Sequence, residues 1–157
     1  MKISIMKKVF LTLFLFFAMM CYGQDLSDFR LLLQKGENSE TATKTLIATS
    51  QEAYTKTKKP IYEAFFAVGN FFMAKHAVNP LSKYSYFNKG KKALENALKK
   101  DPNNLEIRFM RFISQEQTPA FLGYNKDLKN DKTFILAEYT KSKDEDLIKR
   151  IKIHLKL

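Results

Sequence analysis

The sequence predicts an all-α fold, with one domain of antiparallel helical hairpins and about six or seven helices. Apolar residues recur three and four positions apart along most of the chain, which is the spacing of one face of a helix. No segment alternates apolar and polar residues over any length, as a half-buried strand would. All 4 prolines, and several of the 5 glycines, fall where one helical pattern stops and the next starts.

The first 23 residues predict a secretory signal peptide. Residues 2–8 carry three lysines, residues 9–20 are apolar apart from one threonine, and Cys21 and Gly23 are small. Charge, apolar run and small residues in this order are typical of such a leader. We therefore expect cleavage after Gly23 and an exported protein, periplasmic or extracellular, whose single domain covers residues 24–157.

Two alternatives for the leader stay open. One is an uncleaved anchor, although the apolar run is shorter than the roughly 20 residues that span a bilayer. The other is a lipoprotein signal with an acylated Cys21, although that motif has a small residue before the cysteine and Met20 stands there. Because Cys21 is the only cysteine, the chain after a cut at Gly23 has no disulfide, thiol nucleophile or thiolate metal ligand.

The charge of the chain limits the partners that it is expected to have. Without the leader, 24 basic and 16 acidic residues leave a net charge of +8, spread along the chain. Arginine, whose planar guanidinium suits nucleic acids, accounts for only 4 of those basic residues, so we expect no nucleic-acid binding. Peripheral contact with an anionic membrane surface is physically easier at this charge. The plain alternative is that the lysines provide solubility.

Two helices are expected before residue 60. The first runs from Asp25 to Lys35 and stops at Gly36. The second runs from Ser39 to about Thr57, with a thin apolar stripe and six threonines that lower its helix propensity.

Residues 60–77 are expected to form the central helix. Pro60 fits the first helical position, where its missing N–H is not needed. Apolar residues lie on nearly all sides of the segment, as in a helix that others surround. Gly69 costs about 1 kcal/mol relative to alanine, so we expect a neighbouring helix to approach closely there. Phe65 is the side chain that we expect to be most costly to truncate.

The next helix is expected to begin at the cap formed by Asn79 and Pro80 and to end near Lys100, with Tyr84 and Phe87 facing inward. Asn103–Glu106 reads as a capping box for the helix after it. Residues 118–130 are expected to be irregular, and residues 132–139 helical. Ser142–Glu145 predicts a second capping box before the last helix.

Residues 87–107 resemble the second helix and turn of a tetratricopeptide repeat. A small residue, a large apolar residue, an alanine and a turn proline recur in that family, and Gly90, Leu94, Ala97 and Pro102 stand at those positions. The flanking helices depart from the family pattern, and the chain has no second clear copy. The resemblance implies a degenerate stack of helical hairpins that binds peptides or partner proteins and is not a catalyst.

Few residues suggest a catalytic or metal-binding role. His76 and His154 are the only histidines, and neither has the spacing of a metal-binding set; His76 instead suits the C-terminus of its helix. No phosphate-binding or nucleophile motif occurs, so we expect no catalytic residue, metal or cofactor. Glu63 is the one acid inside the apolar helix, where burial could make it an acid catalyst. Its place in the first turn, where a carboxylate suits the helix dipole, is the simpler explanation.

Arg108, Arg111, Phe121 and Tyr124 form the best candidate binding site. The two arginines lie one turn apart, beside a loop that holds a proline and the two aromatic residues. Such a set could hold a carboxylate or an acidic peptide. The alternative is that the aromatic side chains only cover the core where the loop crosses it.

The sequence therefore predicts an exported, non-enzymatic helical protein that serves as a protein- or peptide-binding scaffold or adaptor in the cell envelope. An acidic partner would suit the two arginines. Two alternatives stay open. One is a carrier of a small ligand or lipid in an aromatic-lined cavity, and the other is a hydrolase that uses Glu63 with a second acid.

Overall fold

The protein is all-helical over the part of the chain that the computed structural model describes, residues 25–157. These residues form seven α-helices, two short 3₁₀ helices and no strand, which confirms the predicted all-α class. Within them, no helix has both the length and the apolarity to cross a membrane. The predicted leader, residues 1–23, lies outside the described residues.

Short connections join most of the helices. In chain order the α-helices are α1 (Leu26–Gly36), α2 (Glu40–Thr57), α3 (Pro60–His76), α4 (Pro80–Lys100), α5 (Leu105–Gln117), α6 (Leu128–Glu138) and α7 (Glu145–Leu155). The 3₁₀ helices are Ala120–Leu122 after α5 and Tyr139–Lys141 after α6. The longest connection is the predicted irregular stretch, although α6 begins at Leu128 instead of Lys132.

Both predicted capping boxes are wrong by one or two residues. The N-cap of α5 is Asn104 instead of Asn103, and its Oδ1 accepts the Ile107 N–H at 3.1 Å. The N-cap of α7 is Asp144 instead of Ser142. In each case a second residue that favours the cap position stands nearby, so the local preference alone does not choose between them.

α3 is the central helix, as predicted. It packs against α2 and α4 and also contacts α1 and α5. Its Phe65 and Ala67 are fully buried. A Cβ at Gly69 would lie 2.7 Å from Ile47 Cγ1 of α2. The glycine therefore allows α2 to lie directly against α3, which confirms the close approach expected there.

α3 and α4 form an antiparallel hairpin joined by residues 77–79. Glu63 in the first turn of α3 forms an ion pair with Lys100 in the last turn of α4. Further along, a Cβ at Gly90 would lie 2.9 Å from the Ala67 carbonyl oxygen. The two backbones are thus in close contact at the middle of the hairpin.

The prediction that Tyr84 faces inward is wrong, because 59 % of the residue is exposed. Lys83, four residues before the buried Phe87, continues the face of α4 that points to α3. Its Nζ donates to the carbonyl oxygens of Ala74 and Lys75 at 3.4 and 3.3 Å. Tyr84 consequently turns toward solvent.

Two apolar clusters hold the described helices together. The first combines residues of α1 to α4 with Ile107 and Met110 of α5. The second lies among α5, α6 and α7, and its buried residues are Phe109, Phe112, Ile135, Leu147 and Ile151. α5 therefore contributes opposite faces to the two clusters and joins them.

Candidate functional site

The connection between α5 and α6, here named loop 118–127, carries two of the four predicted site residues. Its 3₁₀ turn covers Ala120–Leu122, and Gly123 follows with a φ of 63°, a value that glycine adopts without strain. This backbone places Phe121 on the outside, with 86 % of the residue exposed, and turns Tyr124 inward.

Tyr124 fixes loop 118–127 to the helices beneath it. Its ring is buried, with its centroid 6.0 Å from that of Phe71 and 6.1 Å from that of Phe87. Its hydroxyl donates a hydrogen bond to Glu95 Oε1 at 2.6 Å. Burial, with the Glu95 carboxylate as the second cause, raises the pKa of the phenol well above its usual range. The hydroxyl therefore stays protonated and remains a donor across the physiological pH range.

Both predicted arginines are bound to Asp131, a fully buried carboxylate of α6. Arg111 donates to it from Nε and Nη2 at 2.6 and 2.8 Å, and Arg108 donates from Nη1 at 2.8 Å. Arg111 also donates to Glu95 Oε2 at 3.1 Å. Burial alone would lower the pKa of Arg111, but the hydrogen bonds to Asp131 and the negative charges of Asp131, Glu95 and Asp127 together outweigh it and raise the pKa above its usual value. The charge of Arg111 is thus permanent and is neutralised by carboxylates of the same chain.

The two arginines differ in how far an outside molecule can reach them. Arg111 is buried with its guanidinium edge occupied by Asp131. Arg108 keeps 20 % of its side chain exposed, and its guanidinium carbon lies 4.7 Å from the centre of the Phe134 ring. The geometry gives Arg111 a structural role and leaves Arg108 as the more accessible cation.

Three further residues complete the site: Glu95, Gln115 and Asp131, of which the sequence suggested only Glu95, as a candidate second acid for Glu63. Gln115 is buried on α5, where its Oε1 accepts the Asp127 N–H at 3.2 Å and its Nε2 has no hydrogen-bond partner. Glu95 stands out in the sequence because it is the single acidic residue between residues 64 and 100. Asp131 has no such signal, since it lies on a different helix from both arginines and no spacing connects it to them.

A second charged cluster joins α1 to α5 and α7. Arg30 is buried and donates to Glu106 from Nε and Nη2, at 2.7 and 2.8 Å. It also donates to Asp144 at 2.6 Å and to Asp146 at 3.0 Å. The hydrogen bond from Arg30 lowers the pKa of Asp144 below its usual value. Glu106 therefore contacts a distant helix in place of the local cap that its spacing predicted.

Asp144→Asn is expected to destabilise the protein by about 1 kcal/mol at neutral pH, since the carboxylate is partly exposed. Asparagine still caps α7 through its oxygen, so the substitution keeps the cap and removes the charge and the Oδ2 acceptor of the hydrogen bond from Arg30. Because folding lowers the pKa of Asp144, its ionised form stabilises the fold above its unfolded pKa of about 3.9. That stabilisation is lost as the pH falls through the lower folded pKa, so the difference between variant and parent should shrink at about pH 2.

Urea unfolding at both pH values measures this effect. Glu145→Gln, at an exposed acid in the same helical turn, is the matched control. An Asp144→Asn deficit that is equally large in acid would contradict the assigned role of the carboxylate.

The other titratable groups considered for chemistry each have a nearby partner. Glu63 Oε2 accepts a hydrogen bond from Lys100 Nζ at 2.7 Å. His76 Nε2 lies 2.8 Å from the Gly36 carbonyl oxygen, and His154 Nε2 lies 2.8 Å from Glu116 Oε2. Across residues 25–157, no three His, Cys, Asp or Glu side chains are placed to hold a metal ion.

No protein-family model, curated protein or solved structure matches the chain. We therefore infer a function from the side chains of the protein and their contacts. Of the four predicted site residues, Phe121 is the most exposed, and Arg108 is the cation nearest to solvent.

Proposed function

We propose that the protein is an exported, non-enzymatic binding module that serves as a scaffold or adaptor for another protein in the cell envelope. The observation that carries the proposal is the 86 % exposure of Phe121 on a loop with a defined backbone. Large aromatic side chains are frequent anchors of protein interfaces. The leader-like residues 1–23 support export. Residues 87–107, which resemble a tetratricopeptide repeat, support a scaffold built from helical hairpins.

Loop 118–127 is held in a way that favours binding through Phe121. The buried Tyr124 fixes its middle through Glu95, and the hydrogen bond from the Asp127 N–H to Gln115 fixes its end. A side chain presented on a fixed backbone loses little conformational entropy when a partner covers it. Phe121 is therefore suited to enter an apolar pocket of a partner.

The groups around the loop point to acidic residues at the edge of that pocket. Lys91 Nζ lies 5.3 Å from the centre of the Tyr124 ring, and Lys126 is exposed on the loop itself. Arg108 adds a partly exposed cation on the neighbouring helix. Such rim charges contribute more to the association rate and to partner choice than to affinity.

A photo-crosslinking amino acid tests the proposal. Benzoylphenylalanine in place of Phe121 is expected to give one crosslinked product of defined mass in the cells that export the protein. The matched control carries the same amino acid in place of Ile153, which is 68 % exposed on α7. Unlabelled parent protein should compete for the product, and Phe121→Ala protein should compete poorly because it lacks the aromatic anchor.

Two results would contradict the proposed function. One is the absence of any product at position 121 in folded, exported protein. The other is the same set of products from positions 121 and 153, because non-specific collisions label any exposed site. Circular dichroism of each variant establishes that the helical fold is kept.

A further inference from the structure

The turn between α3 and α4 exposes three apolar side chains. Val78, Leu81 and Tyr84 are 94, 80 and 59 % exposed. Leu81 and Tyr84 lie three residues apart on one face of α4, and Val78 precedes the cap of that helix. These three residues are named the α3–α4 tip.

Part of the polar backbone beside the α3–α4 tip already has partners. Asn79 Oδ1 accepts the N–H of Leu81 at 2.8 Å. Lys83 Nζ donates to two carbonyl oxygens at the end of α3. Side chains as exposed as Val78 and Leu81 belong to a projection of the surface, because a groove would cover them. The tip can therefore enter an apolar medium without leaving these groups unpaired.

The α3–α4 tip stands in a strongly basic part of the chain. Between Glu63 and Glu95 there is no acidic residue, while the same stretch holds five lysines. The lysines are Lys75, Lys83, Lys89, Lys91 and Lys92. Glu37, from the turn after α1, forms an ion pair with Lys75. The positive charge of the remaining stretch complements the head groups of anionic lipids.

We propose that the α3–α4 tip is a membrane-contact site, which inserts Val78, Leu81 and Tyr84 among the head groups of an anionic bilayer. Burial of the three side chains favours insertion, and the lysines attract the tip to the negative surface. The tyrosine suits this position because its ring is apolar and its hydroxyl stays hydrated. The residues that insert differ from Phe121, and the two sites share only the charge of Lys91, so this site goes beyond the proposed protein-binding function and can fail separately from it.

A single introduced tryptophan tests this site, because the chain has none of its own. Leu81→Trp in the full-length chain is mixed with vesicles of phosphatidylcholine, with and without phosphatidylglycerol. Its emission is expected to shift to the blue, and to be quenched by brominated lipid, only with the anionic vesicles. Ile153→Trp on α7 is the matched control and is expected to show neither change. If residues 1–23 bind the vesicles, they do so in both variants, so only a difference between positions 81 and 153 reports on the tip.

Substitutions that add negative charge at the α3–α4 tip provide a second test of the membrane-contact site. Adding Val78→Glu and Tyr84→Glu to the Leu81→Trp chain should weaken its binding to anionic vesicles about 10-fold or more. Any one of four results would overturn the proposal. They are unchanged emission at position 81, equal shifts at positions 81 and 153, equal shifts with both vesicle types, and a shift at position 81 that survives both glutamate substitutions. If a protein surface covers the tip instead, the vesicle shift will be absent.

Discussion

Replacing Phe65 by alanine is expected to lower the free energy of unfolding by about 3–5 kcal/mol. Phe65 is fully buried on the central helix α3, and its ring centroid lies 5.2 Å from that of Phe29 on α1. Truncation removes a large buried apolar surface and leaves a cavity in a close-packed cluster that several helices line. Urea unfolding followed by far-ultraviolet circular dichroism measures the change.

Phe121→Ala is the matched control for Phe65→Ala, because the same atoms are removed from an exposed position. Its effect on stability is expected to stay within about 0.5 kcal/mol. Phe65→Leu should fall between the two, since leucine fills part of the volume. Similar losses for Phe65→Ala and Phe121→Ala would show that α3 is not the centre of the fold.

The architecture around α3 could be predicted because the decisive information is local. Pro60 sets the start of the helix, and apolar residues on all its sides require neighbours on all sides. Gly69 in so apolar a segment indicates a close contact, and the structure places Ile47 there. Short patterns of this kind depend on no residue outside the segment.

The candidate site could be predicted only in part, because its contacts join residues far apart in the chain. The sequence indicated the charged pair Arg108 and Arg111, but not that both bind Asp131. Glu106 was expected to cap its own helix and instead pairs with Arg30, 76 residues away. No spacing rule describes such contacts, since they depend on how the helices pack.

The two aromatic residues of loop 118–127 show the same limit. Both stand in one short motif beside Gly123, and the sequence left two roles open for them. Tyr124 covers the core because Glu95 and the rings of Phe71 and Phe87 receive it. Phe121 has no such place and stays exposed. Residues of α3 and α4, outside the motif, therefore determine which of the two aromatic side chains is buried.

Asp131→Ala is expected to lower the free energy of unfolding by about 3–5 kcal/mol, because it leaves a buried charge without its partner. Asp131 accepts two hydrogen bonds from Arg111 and one from Arg108. Without it, Arg111 stays buried and keeps only the weaker contacts to Glu95 at 3.1 Å and to Asp127 at 3.5 Å. Urea unfolding of the variant and the parent at neutral pH gives the difference.

Asp127→Ala is the control for Asp131→Ala, because it removes an acid that faces the same arginine from a 41 % exposed side chain. Its cost is expected to be below about 1 kcal/mol. Combining Arg111→Met with Asp131→Leu should restore much of the lost stability, since no buried charge then lacks a partner. Two results would contradict the assigned role of this pair. One is an equal loss of unfolding free energy for Asp127→Ala and Asp131→Ala, and the other is a double variant whose loss is the sum of the losses of its two single substitutions.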